Sequence, residues 1–90
     1  AMARRELEIV NIKGLHARAS AKFAETVEQF DARAEVTKDG LSAAGDSIMG
    51  LLMLAASKGT IIEVETTGRQ DEDLAEALAA LVAGKFGEGD

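Results

Sequence analysis

Apolar residues in this chain recur first at the two-residue spacing of a strand, then at the roughly 3.6-residue spacing of a helix, and the switch repeats from end to end. Each stretch that obeys one period has only one apolar face, so none of them is stable alone and each must cover another. Glu6-Leu7-Glu8-Ile9-Val10 alternates as a first strand with Leu7 and Ile9 inward. Asn11 to Gly14 breaks the pattern, and Gly14 supplies a backbone conformation that a side chain resists. From about Ala17 to Gln29, residues Ala19, Phe23, Val27 and Phe30 share one helical face, with Lys22, Glu25 and Glu28 opposite.

Ala32-Arg33-Ala34-Glu35-Val36-Thr37 alternates again, and Lys38-Asp39-Gly40 reads as a hairpin turn into Leu41-Ser42-Ala43-Ala44. Ile48 to Ala56 is a short apolar helix with Ser47 or Asp46 as its N-cap and Lys58-Gly59 as its stop. Thr60 to Thr67 sets Ile62 and Val64 against Glu63 and Glu65, and Gly68 turns the chain. A closing helix over about 71–85 puts Leu74, Leu78, Leu81 and Val82 on one face, with Asp71, Glu72 and Asp73 at its positive end. Gly87-Glu88-Gly89-Asp90 reads as a frayed tail.

The order βαββαβα places the chain in the α+β class. The expected architecture is a two-layer open-faced β-sandwich, a four-stranded antiparallel sheet covered on one face by three helices. Ninety residues build one core, so residues 2–90 are expected to form a single domain, with Ala1 ahead of Met2 set aside. Only three residues are aromatic, all Phe, so that core must rest on Ala, Leu, Ile and Val.

A net charge of −6 argues against nucleic acid or an anionic membrane as a partner, because both reward clustered Lys and Arg. With no cysteine and one histidine the chain has neither a thiolate site nor an evident zinc centre, and neither metal nor cofactor is expected. No apolar run approaches the roughly 20 residues that span a bilayer. A monomeric, soluble, cytoplasmic protein is the expectation, without membrane insertion.

The one histidine stands in Gly14-Leu15-His16-Ala17-Arg18, at the mouth of the first helix, with an arginine two residues on. A neutral imidazole is a good nucleophile, a helix N-terminus offers free amides to an anion, and Arg18 can neutralise phosphoryl oxygens. On position alone the plainer reading, a surface histidine with no special chemistry, is the more common one.

Together with Ser47-Ile48-Met49-Gly50 and Ser57-Lys58-Gly59, in this order and spacing, the segment resembles the histidine-containing phosphocarrier protein HPr of the phosphoenolpyruvate-dependent phosphotransferase system. The resemblance spans nearly the whole chain. It implies that His16 accepts a phosphoryl group at Nδ1 from enzyme I and relays it to a downstream acceptor such as an A-type permease component, the branch being left open among sugar uptake, a nitrogen-linked path and regulation alone. The Ala17 and Arg18 amides and the Arg18 side chain would surround the group. Such a protein is a covalent intermediate in phosphotransfer, not an independent catalyst. Ser47 matches a regulatory serine that becomes phosphoserine through HPr kinase/phosphorylase in many members; the plainer reading is an unmodified cap. Ile48, Met49 and Leu52 would be core residues of a lone amphipathic segment, whereas the resemblance makes them an exposed docking patch, rimmed by Lys22, Lys13 and Arg18, with Leu51 and Ala55 inward.

Two positions depart from the family. Ala19 stands where most members have proline, which implies a looser helix start, and Lys13 replaces a small polar residue, adding a cation near the site. Two other readings stay open: a small-molecule-sensing regulatory domain of the ferredoxin-like type, and an interaction protein controlled only at Ser47.

Overall fold

The computed structural model describes residues 1–89. Four antiparallel strands, β1 (Met2–Glu8), β2 (Arg33–Lys38), β3 (Leu41–Ala44) and β4 (Ile61–Thr67), form one sheet in the order β1-β4-β2-β3. Helices α1 (Ala17–Glu28), α2 (Ile48–Met53) and α3 (Asp71–Ala83) supply the second layer, as the switching periods require. Between the layers Ile9, Val36, Ile62 and Val64 of the sheet side meet Phe23, Leu51, Leu74, Leu78 and Val82 of the helices, all of them essentially inaccessible to solvent. The other face of the sheet is charged. Arg4 stands opposite Glu65 in the ladder and donates to its carboxylate at 2.6 Å. No helix among the described residues is long and apolar enough to cross a membrane.

Three elements differ in their bounds from the sequence reading. β1 begins at Met2, four residues earlier than expected, because Ala3 is buried opposite Thr66. Arg5 hides this part of the strand from an alternation test: it occupies an inward position, yet reaches Glu72 and Glu76 of α3 at 3.4 and 3.9 Å. β2 is shifted one residue later than Ala32–Thr37, and its turn at Asp39-Gly40 has both residues at positive φ (51° and 82°), the geometry that closes a tight hairpin. α2 ends at Met53, short of Ala56, since Ala55 takes a left-handed conformation (φ 53°) and reverses the chain. Ala55 is consequently exposed, a correction to its inward assignment, and Leu51, Leu54 and Ala56 are the buried residues.

The largest correction concerns the end of the chain. α3 stops at Ala83, and Lys85–Gly87 forms a 3-10 turn that drives Phe86 into the core, 1% exposed. Lys85 and Phe86 both hold positive φ (59° and 55°), at a cost of about 1–2 kcal/mol each. Burying a Phe side chain returns about 2–3 kcal/mol, and further bonds hold the turn. Lys22 Nζ donates to the Phe86 carbonyl at 2.6 Å, and the Gly87 and Glu88 amides donate back to Gly84 and Lys85. Gly87 and Glu88 are thus anchored and not frayed; Asp90 lies outside the described residues.

Candidate functional site

The loop between β1 and α1 has its shape fixed before His16 is reached. Gly14 sits at φ 66°, its amide donating to the Asn11 carbonyl at 3.2 Å and its carbonyl accepting from Asn11 Nδ2 at 2.7 Å. The buried Leu15 donates its amide to Ala56 at 2.9 Å, so the chain reversal after α2 becomes the wall against which the loop is stapled. His16 is the N-cap of α1 through its backbone alone: its carbonyl accepts from the Ser20 amide at 2.8 Å, and its side chain makes no capping bond. Its ring is therefore not used in capping the helix.

By helix geometry the amides of Ala17, Arg18 and Ala19 have no intrahelical acceptor, and the positive end of α1 lies with them. At the position where proline is usual, Ala19 is fully buried, and the helix start is held instead by Ser20, whose Oγ donates to the Leu15 carbonyl at 3.1 Å. Arg18 and Lys13 are exposed, and the Arg18 guanidinium has no side-chain partner among the described residues. Lys13, His16, Ala17, Arg18, Glu88 and Gly89 line one surface depression. A small anion entering it meets two cations, free amides and an imidazole, with the Glu88 carboxylate as the one opposing charge in the lining.

Glu88 is the residue that sequence reasoning missed. One carboxylate oxygen lies in contact with His16 Nε2, and the other accepts from Asn11 Nδ2 at 3.1 Å. The hydrogen bond with His16 is the main reason the Glu88 carboxyl is held below the ordinary carboxylate range; partial desolvation opposes the shift, while the Asn11 bond and the His16 and Lys13 charges add to it. His16 Nδ1 has no protein partner among the described residues. Two glycines flank Glu88 in a stretch without periodicity, so no sequence pattern pointed to it; for Asn11, the only hint was its place before Gly14.

Around α2 the sequence-predicted residues fall as follows. Ser47, not Asp46, is the cap: its Oγ accepts from the Gly50 amide at 3.0 Å. Ile48 and Met49 are exposed at 42% and 68%, Leu52 is only half-buried, and Met53, unnamed in the sequence reading, is the most exposed of the group at 75%. The Lys22 amine donates to the Phe86 carbonyl at 2.6 Å.

Comparison with known proteins shows the family and the fold. Residues 3–84 match the family model PTS-HPr, described as the PTS HPr component phosphorylation site. A phosphocarrier protein HPr of Neisseria meningitidis is 51% identical over 89 residues, covering 99% of this chain and 100% of its own. Phosphocarrier protein NPr of Escherichia coli is 46% identical over 78 residues, 86% of this chain and 83% of its own. Among solved structures, HPr-C-His from Thermoanaerobacter tengcongensis superposes with a TM-score of 0.92 at 35% identity, covering 98% and 99% of the two chains.

Proposed function

The chain belongs to the HPr family of phosphocarriers of the phosphotransferase system, and from that premise we propose that His16 is its phosphoryl acceptor, loaded by enzyme I and unloaded onto a downstream acceptor such as an A-type permease component. Membership removes the sensing-domain alternative. The observation that carries the proposal is the placement, at the amide-bearing start of α1, of a His16 Nδ1 and an Arg18 guanidinium that have no side-chain partner among the described residues.

Uptake is an in-line displacement. The Nδ1 lone pair attacks phosphorus as the bond to the donor breaks, and the electron pair of that bond returns to the donor. The α1 amides and Arg18 meet the charge spread over the phosphoryl oxygens. Because the site lies at the surface, these contacts hold the group without trapping it, which suits a relay in which the next step must be as easy as the last. Residues 2–90 act as the one carrier domain, in the cytoplasm and as a monomer. Incubation with enzyme I and labelled phosphoenolpyruvate tests the reading: acid-labile label supports phosphohistidine, and no label on folded protein overturns it. Acid-stable label alone would favour the reading of an interaction protein controlled only at Ser47.

Arg18 stabilises charge and is not the nucleophile, so Arg18→Ala should still be labelled but slow transfer in both directions by roughly tenfold, less than a buried charge would give. Wild-type rates in stopped-flow transfer would remove Arg18 from the site.

Ser47 is the modification site for an HPr kinase/phosphorylase, beside a docking patch of Ile48, Met49 and Leu52 to which the exposure of Met53 adds area. The Ser47→Asp variant should leave the thermal midpoint nearly unchanged, since Asp caps a helix as well as Ser does, to within a few tenths of a kcal/mol. His16 labelling should nevertheless slow about threefold at low salt and less at high salt, because the new charge must be desolvated or screened at the patch. Equal rates at low salt would return Ser47 to the role of a cap.

A further inference from the structure

We propose that Glu88 is a positioning residue for His16: its carboxylate keeps the ring proton on Nε2, leaves the Nδ1 lone pair as the nucleophile, and balances the positive ring once Nδ1 carries the phosphoryl group. The inference rests on His16 being the phosphoryl acceptor.

The two residues are 72 apart in sequence, and the contact exists because the end of the chain is built to make it. Phe86 buried in the core, the Lys22 bond to its carbonyl and the turn bonds of Gly87 and Glu88 fix the backbone that delivers Glu88. Asn11 fixes the carboxylate itself. The same Nδ2 group bridges the Gly14 carbonyl and Glu88, tying the shape of the histidine loop to the position of the acid that faces it. Glu88 has no other charged partner among the described residues than His16 at contact and Lys13 at longer range.

An ionised carboxylate only accepts, so its neighbour Nε2 must be the protonated nitrogen, and Nδ1 is then the nitrogen with the free electron pair. When Nδ1 attacks, no proton needs to move: the Nε2 proton stays, the P–N bond forms from the Nδ1 pair, and the ring acquires positive charge opposite Glu88. Onward transfer reverses the electron flow, since the P–N pair returns to Nδ1. With Glu88 absent, the proton distributes over both nitrogens and the charged ring loses its counter-ion. The side chains of His16 and Glu88 are 28% and 19% exposed, so solvent screens the effect and its size is moderate.

Ring ¹⁵N NMR of the unphosphorylated protein and the rate of phosphoryl uptake from phosphorylated enzyme I test this with Glu88→Ala and Glu88→Gln. Wild type should show the Nε2–H tautomer in clear excess. Glu88→Ala should relax toward the mixture of a solvated imidazole and take up the group about threefold to tenfold more slowly. Glu88→Gln, whose amide oxygen still accepts from Nε2–H, should keep the tautomer and lose rate through the missing charge. An unchanged ring spectrum in Glu88→Ala, or wild-type uptake by both variants, overturns the proposal. Should wild type take no label at all, the acceptor reading fails, and the ring spectrum still reports separately whether Glu88 sets the tautomer.

Discussion

Replacing His16 with alanine is expected to abolish phosphoenolpyruvate-dependent labelling while leaving the protein folded, because the imidazole contributes much to the chemistry and little to the fold. The helix start uses only its backbone: the bond from the Ser20 amide to the His16 carbonyl, and the Leu15 anchor before it, survive the substitution. What disappears is the contact with Glu88, whose other oxygen keeps Asn11. A part-exposed pair of this kind is worth about 1 kcal/mol or less, so the urea midpoint should move only slightly. Labelling, by contrast, has no second imidazole or thiol to fall back on, the chain having one histidine and no cysteine. Acid-labile label in the variant at the wild-type level would move the acceptor elsewhere and remove the central assignment. A folded variant without label, compared by circular dichroism with wild type, fixes the acceptor at this residue.

Most of the architecture is legible in the sequence because one face of each element is apolar and the other charged. Ile62 and Val64 against Glu63 and Glu65, and Leu74, Leu78 and Val82 along α3, declare both the period and the side to be buried. Legibility fails where a residue does something its type does not advertise. Arg5 occupies an inward strand position by reaching two glutamates on α3, and so the first half of β1 does not alternate. Ala55 turns left-handed to end α2, a conformation that composition points to in glycine and not in alanine. Phe86 lies beyond the last helical turn, and only the three-dimensional gap it fills explains why the backbone accepts an unfavourable φ there.

The candidate site divides along the same line. His16, Ala17 and Arg18 are contiguous, so their juxtaposition at the start of α1 follows from a helix boundary that sequence locates well. Ser47 as cap of α2 follows likewise from local chemistry. Asn11 and Glu88 join the site through a hydrogen bond across 77 residues, and no local signal encodes that. The tail reads as disordered by composition because glycine and acid dominate it; Phe86 and Lys22 decide otherwise.

Gly14→Ala is expected to damage fold and function together, since this position joins the loop to the wall behind it. A Cβ built there would lie 2.4 Å from the Ala56 carbonyl oxygen and 2.9 Å from Ser57 Cα, both backbone atoms that cannot swing aside as a side chain can. Left-handed φ of 66° adds about 1 kcal/mol for any residue with a Cβ. Relieving the clash means pushing the loop off Ala56, which weakens the Leu15 amide bond to that carbonyl and lifts Leu15 from the core. Together these should cost about 2–4 kcal/mol, or more than about 10 °C in thermal midpoint for a domain of this size. The comparison that isolates the cause is Gly40→Ala in the β2–β3 hairpin, where φ is also positive at 82° but nothing lies within 4 Å of a new Cβ. That variant should lose only about 1 kcal/mol and label at the wild-type rate. Gly14→Ala should label several times more slowly even at temperatures where it is fully folded, because the displaced loop carries His16 away from the α1 amides and from Glu88. Equal destabilisation in the two variants would mean that left-handed strain alone governs both positions and that the loop is not held by its close approach to Ala56.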